Sequence, residues 1–145
     1  RTTVNSVVYF AVLPYRLDDP AVQTELLGTT TVEGEPYWEV EVTFQREDGG
    51  PDWEDRFVYW IHRDAHTMDY LAYYYYRDGG GHRFRRAVNR REVGGLLLAD
   101  YLNYTSAEIE GTAVEAYDSI YENRPDRLEL VSEIRMEEVE VEPIE

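Results

Sequence analysis

The sequence predicts a mainly β domain: a curved antiparallel sheet, or open half-barrel, of about seven strands with two short helices. Three observations predict it. Apolar Trp38, Val40, Val42 and Phe44 alternate with Glu39, Glu41, Thr43 and Gln45, the period of a strand with one buried face. Further extended runs follow one another with only short Gly-, Asp- and Pro-containing turns between them, the order of an antiparallel meander. Helical periodicity is confined to two short stretches.

Taken in order, Ser6 to Leu13 reads SVVYFAVL, continuously apolar and stopped by Pro14, which fits a short buried helix. Asp18, Asp19 and Pro20 make a turn, since Asp caps backbone donors and Pro presets φ. A strand is expected from Thr24 to Val32, and Glu33, Gly34, Glu35 and Pro36 turn it into the alternating strand. The loop at Gly49, Gly50, Pro51 and Asp52 leads to a hairpin, with strands Arg56 to His62 and Met68 to Arg77 flanking the polar turn Arg63 to Thr67. Asp78, Gly79, Gly80 and Gly81 turn the chain into a strand from His82 to Arg91, and Gly94 and Gly95 reverse it into Leu96 to Thr105. From Thr112 a helical pattern sets Ala113, Ala116, Tyr117, Ile120 and Tyr121 on one face, ended by Asn123 and Pro125. Leu128 to Val141 reads as a long closing strand, with a bulge or bend where apolar parity switches between Met136 and Val139. The two helices are expected to cover the concave side of the sheet.

With 145 residues, 43% of them apolar, the chain suits a single domain over 1–145. Its apolar stretches fall far short of the roughly 20 residues that a membrane-spanning helix needs. The absence of cysteine excludes disulfides, thiolate metal sites and a cysteine nucleophile. Thirty acidic residues face 14 basic ones, all arginine. The acids are spread along the whole chain, so the cause acts on the entire surface. A dispersed acidic, lysine-free surface resembles those of proteins from extreme halophiles, the leading reading; the competing one is a high-GC genome writing arginine codons for lysine together with an ordinary acidic surface. The net charge of −16 argues against nucleic acid as a partner, because phosphate binding needs a basic footprint.

Two clusters are candidates for ligand binding. The run Tyr70, Leu71, Ala72, Tyr73, Tyr74, Tyr75, Tyr76 puts rings on both faces of one strand, beside Phe57, Tyr59 and Trp60 on the preceding one. Cross-strand aromatic pairing explains it as sheet stabilisation; an apolar ligand cavity explains it as function. Arg83, Arg85, Arg86, Arg90 and Arg91 form a basic cluster in an acidic chain, suited to pairing with neighbouring acids or to an anionic head group. The candidate ligand set is therefore Phe57, Trp60, Tyr70, Tyr73, Tyr74, Tyr75, Arg83, Arg85 and Leu98. His62 and His66 lack the helix that a two-histidine metal motif requires, and Glu47, Asp48, Asp52, Glu54 and Asp55 lack a calcium-loop pattern. No serine sits in a nucleophile elbow, and Gly79 to Gly81 leads into a strand rather than a phosphate-binding helix, so no enzyme signature, metal or cofactor is assigned.

The segments SVVYFAVLPYRLDDPAV, EVTFQREDGGPDWEDRFVYWIHRDAHTMDYLAYYYY and GHRFRRAVNRREVGGLLLADYLNY resemble a family of uncharacterised bacterial envelope proteins. The resemblance is carried by the GGPD, YWI, DYLAY, RFR and DYxNY pieces and implies no reaction. It implies a periplasmic or envelope location, and that the chain is the C-terminal part of a longer secreted or lipid-anchored protein. The element order is similar in outline to the lipoprotein carriers LolA and LolB, whose open barrel holds acyl chains under helical lids. Two classes of function follow as expectations. One is a non-enzymatic envelope protein binding an apolar or lipidic ligand; the other is a protein–protein interaction or structural domain using a sheet edge.

The charge reading has a direct test in the salt dependence of stability. Self-repulsion weakens as the Debye length falls from about 10 Å at about 0.1 M to about 3 Å at about 1 M salt. Thermal melts at the two chloride concentrations are expected to show a higher midpoint in high salt; a flat or falling midpoint removes the halophile reading.

Overall fold

The computed structural model describes residues 10–47 and 53–144. Seven antiparallel strands form one open sheet in strict chain order: β1 (Val22–Val32), β2 (Glu35–Phe44), β3 (Arg56–His62), β4 (Met68–Tyr75), β5 (Gly81–Val93), β6 (Leu96–Thr105) and β7 (Glu129–Ile134). Every strand pairs with its sequence neighbour, so β1 and β7 are the two edges. Between β6 and β7 the chain makes a 3-10 turn (Val114–Ala116) running into helix α1 (Tyr117–Asn123). The expected mainly β class and strand succession hold, and the sheet does not close on itself.

The register explains why both faces are apolar. Val42, Phe57 and Tyr73 are consecutive cross-strand partners, as are Glu41, Val58 and Ala72, so neighbouring rows point to opposite sides. Val58, Tyr59 and Trp60 are all completely buried, which puts β3 between two cores. One core gathers Val58, Trp60, Tyr70, Ala72 and Phe84 beneath Ile109, Val114, Tyr117 and Ile120. The other gathers Val42, Phe57, Tyr59, Leu71, Ala99 and Tyr101, with Phe10, Leu13 and Leu17 packed on them. The two helical segments thus lie on opposite faces, instead of sharing one concave side. The reason is in β3 and β4, whose rows are apolar on both sides and need two covers.

Phe10 and Ala11 are helical, followed by a turn and a 3-10 segment at Tyr15–Asp18. The part of the expected first helix at residues 6–9, and the expected loop at 49–52, lie outside the described residues. Strand β4 ends at Tyr75, earlier than expected, because Arg77–Gly79 forms a 3-10 turn. Gly80 leaves that turn at φ +81, where a Cβ would also meet the Tyr74 hydroxyl, so the position favours glycine.

The largest correction concerns the last strand. Pairing stops at Ile134, and the expected continuation to Val141 does not form. The Met136 N–H donates to Asp100 Oδ1 at 2.9 Å and its carbonyl accepts from Arg91, so side chains of β5 and β6 take backbone groups that a ladder would have used. Asp100 also accepts from Asn89 and pairs with Arg91 at 3.1 Å. These donors outweigh burial and hold its carboxyl below the usual range. The parity switch after Met136 therefore marks a strand end. Among the described residues, no helix is long and apolar enough to cross a membrane.

Trp38, Val40, Val42 and Phe44 follow the alternation read from the sequence. Val40, Val42 and Phe44 join the core beneath Phe10 and Leu13, while Trp38 stacks on His66 at the far end of the same row. Val42 is wholly buried. Val42→Asp places an unpaired charge there, a penalty of several kcal/mol against a typical stability of about 5–15 kcal/mol. Loss of native circular dichroism is the expected outcome; retention of a folded spectrum at 25 °C contradicts the assigned faces.

Candidate functional site

The nine sequence-derived ligand residues divide between the two faces. Trp60, Tyr70 and Tyr74 lie on the α1 side, where Tyr70 stacks with Phe84 at 5.7 Å and sits 5.3 Å from Tyr121. The Tyr70 hydroxyl donates to Glu33 and that of Tyr37 to Asp69, each at 2.9 Å. Burial, with these carboxylates beside it, raises both phenols far above their ordinary pKa. Leu98 is buried on β6 opposite Arg91, beyond the β5 irregularity between Val88 and Arg91 and away from the aromatic rows. Phe57, Tyr73, Tyr75, Arg83 and Arg85 share the opposite face. The structure therefore brings together five of the nine.

On that face Arg85 stands out. It is only 9% exposed and lies between Leu71 on β4 and Asn103 on β6. Its Cζ sits 4.1 Å from the centroid of the Phe10 ring and 5.3 Å from that of Tyr73, a cation enclosed by aromatic faces. One guanidinium nitrogen donates to the Tyr73 hydroxyl at 3.1 Å, while the buried Nε–H has no acceptor. Asn103, 7% exposed, donates through Nδ2 to Ser132 Oγ on β7 at 3.1 Å, and its Oδ1 is buried without a donor.

Other arginines behave differently. Arg56 bridges Glu41 and Glu115, Arg90 pairs with Asp69 at 2.8 Å, Arg91 with Asp100, and Arg124 with Glu108 at 2.6 Å. Arg83 donates to the His82 carbonyl and lies over the Tyr75 ring at 5.7 Å. The expected pairing of the arginines with neighbouring acids thus accounts for Arg90 and Arg91. Arg85 has no carboxylate partner among the described residues. A buried cation without a counter-charge is costly in any protein, and more conspicuous in one with 30 acidic residues.

The α1 side carries titratable groups of a different kind. The Tyr117 hydroxyl and His82 Nδ1 are hydrogen-bonded at 2.6 Å; burial raises Tyr117 to about 12, and burial together with Arg83 lowers His82. Burial holds the carboxyls of Glu39 and Asp118 above their ordinary range, and for Glu39 the charge of Asp118 adds to the effect. The Trp60 indole N–H beside them eases both without forming a full hydrogen bond. His62 has a local role: its Nδ1 accepts from the Asp64 and Ala65 amides and its Nε2 meets Glu35 at 3.0 Å, fastening the β3–β4 turn.

Three members of the Arg85 site were not identified from sequence: Phe10, Asn103 and Ser132. Asn103 follows Leu97, Ala99 and Tyr101 on its row, and that break in an apolar row was the available signal. Placing it beside Arg85 required the β5–β6 register, which shifts within the strand pair and cannot be counted off from the Gly94–Gly95 turn.

No curated protein and no solved structure matches the chain. Residues 1–136 match the family of unknown function DUF6503, and the match spans nearly the whole sequence. The sheet, both of its covers and the Arg85 site all lie within that span, and the chain belongs to the DUF6503 family.

Proposed function

We propose that the domain is a non-enzymatic binding module that takes an apolar or lipidic ligand on the sheet face covered by Phe10, Leu13 and Leu17. The observation that carries this reading is Arg85: buried, walled by Phe10 and Tyr73, and retaining an unused donor. Aromatic walls with a single oriented polar group are the usual make-up of a small-molecule site. Apolar burial supplies affinity, about 0.8 kcal/mol per methylene, and the arginine supplies orientation. An envelope setting, which rests on the sequence resemblance, and a carrier role, which rests on an outline topology similar to LolA and LolB, belong to the same proposal.

A second reading, a protein-interaction domain, draws on the sheet edges. Leu26 and Leu27 on β1 and Leu130 and Val131 on β7 are all exposed, and either edge can accept another strand. Self-association through such an edge is visible by sedimentation.

Titration with N-phenyl-1-naphthylamine, a neutral apolar dye that brightens on burial, tests the first reading. Saturable binding is expected. Tyr73→Ala should weaken it about tenfold, because Tyr73 walls the site, whereas Tyr74→Ala, on the opposite face, should leave it unchanged. Absence of saturable binding, or equal sensitivity to both variants, overturns the assignment.

A further inference from the structure

Resting on that reading, we infer that Arg85 and Asn103 together form a seat for the carboxylate of a long-chain apolar acid. The two side chains are direct cross-strand partners on the same face, both more than nine-tenths buried, and each keeps one polar atom without a partner. In the present arrangement these are a donor, Arg85 Nε–H, and an acceptor, Asn103 Oδ1. Turning the Asn103 amide over exchanges its oxygen and nitrogen at almost no steric cost. Contact with Ser132 survives the exchange, because the hydroxyl that accepts from Nδ2 can donate to Oδ1 instead. Two N–H donors, Arg85 Nε and Asn103 Nδ2, then face the site from adjacent strands, one for each oxygen of a carboxylate.

Charge selects among anions. A carboxylate neutralises the buried guanidinium, whereas a phosphate dianion leaves a net negative charge in an apolar enclosure, together with oxygens that lack donors. A neutral alcohol leaves the arginine uncompensated. The chain's net charge of −16 adds a long-range penalty for each further negative charge on the ligand. The Phe10 ring lies against the guanidinium carbon at 4.1 Å, and the Nε–H has no acceptor.

The experiment is a competition on the full chain in about 1 M salt, where long-range repulsion is screened. Dodecanoic acid, dodecanol and dodecyl phosphate each displace bound N-phenyl-1-naphthylamine, with wild type, Arg85→Gln and Asn103→Asp compared. Dodecanoate is expected to bind on the order of 10- to 100-fold more tightly than dodecanol, the range of one or two hydrogen bonds to a charged group, and more tightly than dodecyl phosphate. Arg85→Gln should close that gap. Asn103→Asp places a carboxylate beside Arg85 from within the protein, so it should raise the melting midpoint and abolish the preference for dodecanoate. A wild-type protein that binds the dye but ranks dodecanol or dodecyl phosphate equal to or above dodecanoate overturns the carboxylate seat while leaving the apolar site standing. Persistence of the preference in Asn103→Asp also overturns it. Failure of the dye and all three ligands to bind overturns the apolar-site reading, and this inference with it.

Discussion

Everything in this fold depends on β3 being buried from both sides. Val58 and Trp60 point one way and Tyr59 the other, and none of the three reaches solvent. A single-layer sheet of seven strands cannot protect both faces by itself, and each apolar face left wet forfeits roughly 25 cal/mol per Å². The chain therefore carries a cover for each side: Ile109 through α1 on one, Phe10 through Leu17 on the other. One cover precedes β1 and the other lies in the β6–β7 connection, so β1 to β6 run as an uninterrupted meander and β7 still pairs beside β6.

The two covers are not equivalent. On the α1 side, rings interlock: Phe84 stacks with Tyr70 and Tyr117 and meets Trp60 edge-on. The Tyr70 hydroxyl there finds a carboxylate and that of Tyr117 an imidazole, though the buried Trp60 indole N–H lacks a full hydrogen bond. On the Phe10 side the polar groups are fewer and less complete, with Arg85 and Asn103 each retaining an unused atom. Protein interiors satisfy most of their buried polar groups. Among the described residues, two side chains beneath the Phe10 cover, one of them charged, thus retain capacity for a partner, whereas on the α1 side the Trp60 indole N–H is left without a full hydrogen bond.

Much of the fold was legible in the sequence, because turns and alternation are local. The β2 pattern from Trp38 to Phe44 and the β3 bounds at Arg56 and His62 follow directly from period and turn chemistry. The run Tyr70 to Tyr76 resisted assignment for a physical reason: a strand covered on both sides has no polar row to identify its exterior. That ambiguity is why Trp60, Tyr70 and Tyr74 were grouped with residues they never meet. The last strand was read too long because Met136 looks like any strand residue until Asp100 and Arg91 are seen to take its backbone groups. Pairing Arg85 with Asn103 depends on a register that is irregular at Asn89, which has φ +50, and periodicity does not reveal such a step.

The anchor of Asn103 sits on the least protected strand. Residues of β7 are exposed on both faces from Glu129 to Glu133, and the strand is paired on one side only. Its separation from β6 uncovers little apolar surface, which places it at the low end of the ladder of local openings, well below global unfolding. Ser132 leaves with β7, and for the lifetime of that opening the Asn103 amide is free to rotate. Reorientation of a nine-tenths-buried side chain is thereby tied to opening of the edge strand, on the microsecond-to-second scale of local unfolding, without requiring the core to loosen.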